Sequence, residues 1–265
     1  MATTVQRIDG GRAGRVYQLP DGRVFPSVTA ILQVIGKPAL VAWAAKVERE
    51  FVKTAAAELY REACEADHGM TKLAFMASLD TRLGSLKAHQ RESDKALDTG
   101  KQVHAMIEWW ARGRLGQDPG PEPKLSPAAR AGWDSFNAWI SSCEIEPTMV
   151  EQMIWHSKVG YAGTLDWLAT KNDILGVVDF KTSNGLYIEH LLQIAAYASA
   201  INHMGHGPVL WGMVVQLPKD GSVFQPSKHV KTLDTADLGK HFDGFMTAFE
   251  LHRWLGTNPM EGKDG

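Results

Sequence analysis

The stretch from Gly163 to Ser183, GTLDWLATKNDILGVVDFKTS, places charged side chains inside two apolar runs. Asp166 interrupts the first run, and Asp179 and Lys181 interrupt the second. Taking a charge out of water costs several kcal/mol unless a partner compensates for it. The three charged residues are therefore candidates for a functional site, and the two apolar runs are candidates for the strands that carry it.

The polar break at 171–173 predicts a hairpin between these two strands. A two-residue turn at 172–173 would pair Asp166 directly with Asp179, with the two Cβ atoms about 5 Å apart on one face of the sheet. Lys181 lies two residues beyond Asp179 and so shares that face. A register slip of one residue would move Asp166 to the opposite face, so the pairing depends on the length of the turn.

Two carboxylates at this distance repel each other unless a proton or a cation lies between them. A hard divalent cation such as Mg²⁺ or Mn²⁺, held by oxygen ligands, relieves that repulsion. The neighbouring Lys181 ammonium could orient or deprotonate a water molecule, and such a site is suited to attack on a phosphodiester. The structural alternative is an Asp179–Lys181 ion pair at a sheet edge with Asp166 capping a turn. Spacing alone does not decide between the two.

The composition is that of a soluble globular protein, with 44% hydrophobic and 22% charged residues in 265. The net charge of −2 indicates no general attraction to nucleic acid, so any positive field must be local or supplied by metal. We find no apolar run long enough to span a membrane and no secretory signal, which predicts a cytoplasmic protein. Cys64 and Cys143 are expected to be free thiols and cannot form a four-cysteine cluster.

The rest of the chain predicts helices on both sides of a strand-rich centre. Hydrophobic periodicity and turn residues predict a hairpin at 15–25, a short helix capped by Ser27, helical structure over 39–97, helices at 98–115 and 128–142, strands within 149–182, a helix at 186–204, strands at 209–217, 222–225 and 229–233, and a helix at 236–255. The 39–97 region carries nearly balanced charges. It is either a solvated helical subdomain or an arm that guides DNA.

The motifs GTLD (163–166) and VDFK (178–181) resemble the PD-(D/E)XK nuclease superfamily, whose core pairs an Asp with an Asp/Glu-x-Lys on adjacent strands. Upstream, GKQVHAMIE (100–108) resembles the G-x-x-x-H helix of the RecB-like exonuclease branch. Downstream, QIAAY (193–197) resembles its Q-x-x-x-Y helix. The opening at 25–46 is similar to the start of phage-type members. Motif order and spacing are consistent with this branch over about residues 100–200.

The resemblance implies a role for each matching residue. The metal ligands for Mg²⁺ or Mn²⁺ would be His104, Asp166, Asp179 and the backbone carbonyl of Phe180. Lys181 would position or activate the attacking water.

Three further residues have both a structural and a functional interpretation. Glu151 opens a strand where these nucleases often carry a glutamate, and it would either reach the metal through water or face solvent. Gln193 and Tyr197 share one helical face. They would form a half-buried hydrogen-bonded pair, brace the site, or contact the nucleic-acid backbone.

The fold implied is α/β, a restriction-endonuclease-like core with a mixed central β-sheet flanked by helices and an N-terminal helical elaboration. The expected division is an N-terminal hairpin and helical elaboration at 1–97, a nuclease core at 98–256 and a disordered tail at 257–265. Two features common among relatives are missing from the sequence, namely the four cysteines of an iron–sulfur cluster and a GxxxxGK[ST] phosphate loop.

The function implied is a metal-dependent DNA exonuclease acting on single- or double-stranded ends in recombination, repair or phage DNA processing. A recombination or single-strand-binding protein is a candidate partner, in a bacterial or phage-infected cell. Two alternatives stay open. One is a structure-specific or restriction-type endonuclease, and the other is a non-catalytic DNA-binding module on the same fold.

Overall fold

The computed structural model describes residues 5–9, 14–65, 69–84 and 87–257. The expected disordered tail at 257–265 lies outside the described residues except for Thr257, which ends the last helix. Within the described ranges no helix is long and apolar enough to cross a membrane.

The strands divide between a small N-terminal sheet and a larger central one. They are β1 (Gln6–Asp9), β2 (Arg15–Gln18), β3 (Val24–Pro26), β4 (Glu146–His156), β5 (Tyr161–Lys171), β6 (Ile174–Lys181), β7 (Trp211–Gln216) and β8 (Val230–Leu233). The helices are α1 (Val28–Ile31), α2 (Pro38–Glu65), α3 (Lys72–Leu83), α4 (Ala88–Arg114), α5 (Pro127–Ile140), α6 (Ile188–His203), α7 (Pro226–His229) and α8 (Thr235–Thr257), with a 3₁₀ turn at Leu32–Val34.

The central sheet has the order β4-β5-β6-β7-β8 and the small sheet the order β1-β2-β3. All neighbouring strands are antiparallel except β6 and β7, which are parallel because α6 crosses between them. The predicted mixed central sheet flanked by helices is therefore confirmed. Because β6 and β7 are parallel, their carboxyl ends lie side by side at the same end of the sheet.

The hairpin between β5 and β6 has the predicted turn and register. Lys171 pairs with Ile174, and the same register continues to Trp167 and Val178. Asn172 and Asp173 have φ of 50° and 61°. Two consecutive residues with positive φ define the tight turn that matches the right-handed twist of paired strands. The two-residue turn therefore sets which side chains of the two strands face each other.

Two apolar cores cover the two faces of the central sheet. The first joins β4, β5, β6 and β7 to α1, α6 and α8, and includes Leu165, Val177, Ile194 and Phe245. The second joins the sheet to α4 and α5, and includes Val103, Phe136, Trp139, Trp167 and Phe180. The rings of Trp167 and Phe180 meet edge-on in this core, with 4.9 Å between their centroids. Helices packed on both faces make the sheet the middle layer.

The chain separates into two compact units. One is 36–99, and the other combines 1–35 with 100–265. The predicted boundary near residue 97 therefore lies inside α4, and the hairpin and α1 group with the central sheet. Ser27 forms a parallel bridge with Ala162 of β5, and Tyr17 shares a 2.8 Å hydrogen bond with Thr164.

The 36–99 unit is helical, as predicted. Glu48 accepts hydrogen bonds from the backbone N–H of His89 at 3.1 Å and pairs with its ring at 2.7 Å. Arg82 of α3 pairs with Glu58 and Glu62 of α2. The role of this unit in guiding DNA stays a prediction.

Three details of the predicted elements were wrong. No helix begins at residue 98, because α4 runs without interruption from Ala88 to Arg114. No strand forms at 222–225. Gly221 has φ of 79°, and Asp220 accepts the backbone N–H of Ser222 at 2.9 Å, which makes the segment a turn. β1 was not predicted.

Candidate active site

Helix α4 brings His104 to the central sheet. Val103 and Ile107 are buried in the core beneath the helix, while the His104 side chain is 32% exposed at the edge of that apolar stripe. Gly100, one turn earlier, lies against the loop after β6, where a Cβ atom would be 2.8 Å from Thr182 Oγ1. The glycine of the G-x-x-x-H motif thus permits the close approach of this helix to the carboxyl end of β6.

Three side chains from three elements converge on one point. His104 from α4, Glu151 from β4 and Asp166 from β5 each offer a nitrogen or oxygen atom, and these atoms lie within 4.8 Å of one another. His104 Nδ1 and Asp166 Oδ1 are 3.6 Å apart. Sequence reasoning predicted all three, and the structure brings them together.

The strand ladders open at this point. β4 and β5 pair on either side of Glu151 and Asp166, at Val150–Trp167 and Gln152–Leu165. Glu151 itself has φ of 48°, a conformation that costs a non-glycine residue energy and clusters at functional sites. The left-handed conformation turns its carboxylate out of the regular alternation.

Asp166 also leaves the ladder on its other side. The pairing of β5 with β6 ends at Trp167 and Val178, one step short of the expected pairing of Asp166 with Asp179. Instead, Asp166 Oδ2 accepts the backbone N–H of Phe180 at 2.7 Å. Leu165 and Leu168 both face the core on the α6 side although they are three residues apart. The alternation of sides therefore breaks at Asp166.

A chain of polar contacts runs from β6 into α6. Lys181 Nζ lies 2.7 Å from Asp179 Oδ2 and donates to Gln193 Oε1 at 2.9 Å. Gln193 Nε2 in turn donates to Tyr197 Oη at 2.8 Å. Asp179 is 1% exposed, and its Oδ2 has no hydrogen bond of acceptable angle despite the short ion-pair contact. The predicted Gln193–Tyr197 pair is thus a buried link that fixes the Lys181 ammonium.

Gly163 makes room for this link. A Cβ atom at Gly163 would lie 2.6 Å from Cε1 of Tyr197. The glycine of the GTLD motif therefore permits the tyrosine ring to pack directly on β5. Glycine is needed here because a side chain would collide with the ring, and the backbone conformation itself does not require it.

The environment raises the pKa of several acidic groups. Burial, followed by the nearby carboxylates of Asp166 and Glu108, raises the pKa of Glu151 to about 8. Burial also raises the pKa of Asp179, against the effect of the Lys181 ammonium. The Tyr197 pKa is raised well above its ordinary value by burial and then by Asp179. The surroundings of Glu151 and Asp179 therefore disfavour their ionised forms, and a cation bound beside them would favour those forms.

This pattern fits a divalent cation. The donors are two or three carboxylates and one imidazole, and one buried carboxylate oxygen has no adequate hydrogen bond. Oxygen-rich sets of this kind suit Mg²⁺ and Mn²⁺. Asp179 does not belong to the group of three within 4.8 Å, and participation of the Phe180 carbonyl stays a prediction.

Sequence reasoning missed the basic residues around the site. The positive charges of Arg7 and Arg112 lower the pKa of Glu151 and so offset part of the shift. Arg112 donates to Glu108 at 2.7 Å, which shows that Glu108 pairs with this arginine. The i+4 spacing of these two residues could have indicated the pair. Arg7 lies in β1, and no local motif marks it.

Comparison with known proteins gives one clear sequence relative, whereas no family profile matches the chain. Mitochondrial genome maintenance exonuclease 1 from Xenopus tropicalis is 34% identical over 151 residues, which cover 54% of this chain and 41% of that protein. The chain thus spans less than half the length of this relative. Together with the motifs, the similarity supports a nuclease of the PD-(D/E)XK superfamily.

Two solved structures of an alkaline exonuclease from Laribacter hongkongensis, LHK-Exo, also align with the chain. The first has 14% identity and a TM-score of 0.30, and covers 66% of this chain and 87% of the other. The second, LHK-Exo in complex with dAMP, has 14% identity and a TM-score of 0.29, and covers 59% and 91%. Both TM-scores are too low to show a shared fold. The fold of this chain is therefore described only from its own strands and helices.

Proposed function

We propose that this chain is a DNA exonuclease of the PD-(D/E)XK superfamily that hydrolyses phosphodiester bonds and depends on Mg²⁺ or Mn²⁺. The observation that carries the proposal is the convergence of His104, Glu151 and Asp166 within 4.8 Å, beside the buried Asp179–Lys181 pair. The sequence similarity to an exonuclease supports the same activity.

The residues nearest the point of convergence would bind the cation. His104, Asp166 and Asp179 would hold the cation, with Glu151 as a further oxygen donor. When bound, the cation would offset the negative charge that develops on the phosphate during attack by water.

Lys181 would orient the attacking water. Its ammonium has three N–H donors, and Asp179 Oδ2 and Gln193 Oε1 lie on two sides of it at 2.7 and 2.9 Å. At least one N–H donor is therefore available for a water or a phosphate oxygen. Gln193 and Tyr197 act through Lys181 by fixing its direction, and they need not touch DNA.

End-labelled linear DNA tests the proposal. Single- and double-stranded substrates, labelled at either end, are incubated with Mg²⁺, Mn²⁺ or chelator, alongside Asp179→Ala and Lys181→Ala. We expect metal-dependent release of mononucleotides or short oligonucleotides, lost in both variants. Absence of cleavage under every metal, with DNA still bound, would instead indicate a non-catalytic binding module.

Circular single strands separate exonuclease from endonuclease action. An exonuclease needs a free end, so circular DNA should resist cleavage under conditions that degrade the matched linear strand. Equal cutting of the two forms would replace the proposal by a structure-specific or restriction-type endonuclease. The cellular process and a recombination or single-strand-binding partner stay predictions.

A further inference from the structure

A small cavity lies at the carboxyl ends of the parallel strands β6 and β7. Its volume is about 120 Å³. The lining residues used below are Ser183, Gln216, Lys219, Asp220, Ser222 and Lys228. None of them takes part in the cation site or the Lys181–Gln193–Tyr197 link, so the cavity has no function in the proposal above.

Backbone contacts tie the cavity to the candidate active site. Lys181 pairs with Gln216 across the parallel strands, and the backbone N–H of Leu217 donates to the Lys181 carbonyl at 2.7 Å. Gln216 Nε2 donates to the Ser183 carbonyl at 2.9 Å. Lys219 follows Gln216 by three residues, which places it about 10 Å along an extended chain from the level of Lys181. The lysine of the cavity is therefore within reach of a DNA strand held at the site.

The charge of the cavity favours an anion. Lys219 forms no ion pair among the described residues, whereas the Lys228 charge, after the hydrogen bonds from Ser222, lowers the pKa of Asp220. Asp220 is the acidic lining residue, and its Oδ1 is engaged in a turn by the backbone N–H of Ser222 at 2.9 Å. Partial burial lowers the pKa of Lys219, because the ammonium has lost part of its hydration. An incoming anion would restore that lost stabilisation.

We infer that this cavity binds a second backbone phosphate of the DNA strand, a neighbour of the phosphate that is cleaved. Lys219 and Lys228 supply the positive charge, and the Gln216 amide supplies a neutral hydrogen-bonding group at the wall. Asp220 disfavours a closer approach on its own side and so helps fix the strand's direction. The inference rests on the proposed nuclease function for the identity of the strand.

Binding measured without cleavage tests this subsite. The affinity of a fluorescent single-stranded oligonucleotide is measured in chelator at several salt concentrations for wild type, Lys219→Gln, Lys228→Gln and the control Lys171→Gln. Lys171 is exposed at the opposite end of the same sheet. We expect about fivefold weaker affinity for each cavity variant, in keeping with a single exposed charge contact. The salt dependence should be shallower by about one unit per lysine. Thermal melts check that every variant is folded.

Neutral phosphates identify the contact. A series of oligonucleotides, each with one methylphosphonate in place of a phosphate, should show one position at which wild type loses affinity and the Lys228→Gln variant loses no more. The same binding assay is repeated with added inorganic phosphate. If inorganic phosphate removes the affinity loss at that one position, the cavity binds free phosphate and the backbone assignment is overturned. Variants that match Lys171→Gln in affinity and salt slope overturn the subsite altogether.

The two proposals fail in different ways. Wild type that cleaves DNA while the cavity variants behave like the control overturns the subsite alone. Wild type that cleaves nothing but shows the position-specific loss overturns the nuclease proposal and supports the subsite. Wild type that neither cleaves nor binds DNA overturns both.

Discussion

The residue type at several positions near the site is restricted by steric contacts or by backbone conformation. Gly100 and Gly163 each lie where an added Cβ atom would collide with a side chain beside the site, Thr182 in one case and Tyr197 in the other. Glu151 is selected by its backbone, which holds φ at 48° in the middle of a strand. Contacts and strain of this kind explain why small and unusual residues lie beside the charged ones.

Gly163→Ala tests the packing of Tyr197. The added methyl would lie 2.6 Å from the ring, so either the ring or β5 must move. We expect a loss of about 1–3 kcal/mol in the free energy of unfolding, the usual cost of overpacking. Urea unfolding measures this cost, and DNA hydrolysis should fall with it because Tyr197 supports Gln193.

Gly113→Ala is the matched control for this substitution. Gly113 lies in α4 with open space around its Cβ position. Alanine there should stabilise the helix by up to about 1 kcal/mol, from helix propensity alone. Equal destabilisation by the two alanines would contradict the assigned role of Gly163.

The motifs predicted which residues form the site but not how they meet. Asp179 and Lys181 could be read from charged residues in apolar runs, and His104 from the resemblance of its helix to the G-x-x-x-H motif. The departure of Asp166 from its ladder could not, because it lies opposite a residue of the neighbouring strand, Glu151, whose φ is positive. Nothing local to Glu151 indicates that conformation, since glutamate prefers extended or helical backbone.

Two features outside the site are expected to contribute to the stability of the fold. The turn at 172–173 sets the register of β5 and β6. The end of β4 packs against the end of α6 through two stacked imidazoles. Each can be perturbed without changing a residue of the site.

Asp173→Gly should stabilise the hairpin. Asp173 has φ of 61°, a conformation in which glycine has no Cβ penalty and which the Asn-Gly turn favours. The gain should be about 0.5 kcal/mol, since the greater entropy of an unfolded glycine offsets part of the relieved strain. A shift of the urea midpoint to higher concentration is the measurement. Asn172→Val should shift it the other way, and a loss of stability in Asp173→Gly would refute the turn assignment.

The stacked histidines predict acid sensitivity. The rings of His156 and His203 lie 4.1 Å apart. Burial, then the nearby His203 and Lys158, lower the pKa of His156 below its ordinary 6.5. The unfolded chain therefore takes up this proton first. The stability contribution is present above pH 6.5 and is lost as the pH falls through the lower folded pKa, with a slope of at most about 1.4 kcal/mol per pH unit.

Urea unfolding between pH 7.5 and 5 measures that slope. His156→Gln keeps an acceptor for the Val159 N–H, which the ring accepts at 3.3 Å, but removes the titration. It should flatten the acid branch of the stability profile. His206→Gln, at an exposed position after α6, should leave the branch unchanged. An acid branch of equal slope in the two variants would rule out His156 as its source.

Most elements followed from local patterns, whereas their grouping did not. The β5–β6 hairpin, α5, α6 and α8 were predicted from periodicity and turn residues. The grouping of 1–35 with 100–265 depends on contacts such as Ser27–Ala162 and Tyr17–Thr164, which join residues far apart in sequence. The prediction divided helix α4 at residue 98, although the helix continues on both sides of that position.

At the scale of the whole molecule, a bound cation should raise thermal stability. Binding to the folded state alone stabilises by about 2.7 kcal/mol at a hundredfold excess over Kd. For a chain of this size that corresponds to a rise of about 5–10 °C in Tm. The rise should be seen with Mn²⁺ or Mg²⁺ and reversed by chelator, as followed by thermal unfolding of the full chain.

Asp166→Asn should abolish most of this rise, because it removes a carboxylate from the group of three. The Asn side-chain oxygen can still accept the Phe180 N–H, so the fold should persist. Asp243→Asn, at an exposed position on α8, is the control and should keep the full rise. An equal rise in both variants would place the cation elsewhere.

The position of β6 in the middle of the sheet governs how the site can be lost. β6 has β5 on one side and β7 on the other, and both faces are covered by helices. Amides of such a strand exchange with solvent only when the whole cooperative unit opens, whereas edge strands and helix ends open locally. Asp179 and Lys181 therefore lie in the slowest-exchanging part of this unit. Asp179 and Lys181 would be lost only with global unfolding, whereas Glu151, on the edge strand β4, can be displaced by local opening of that strand.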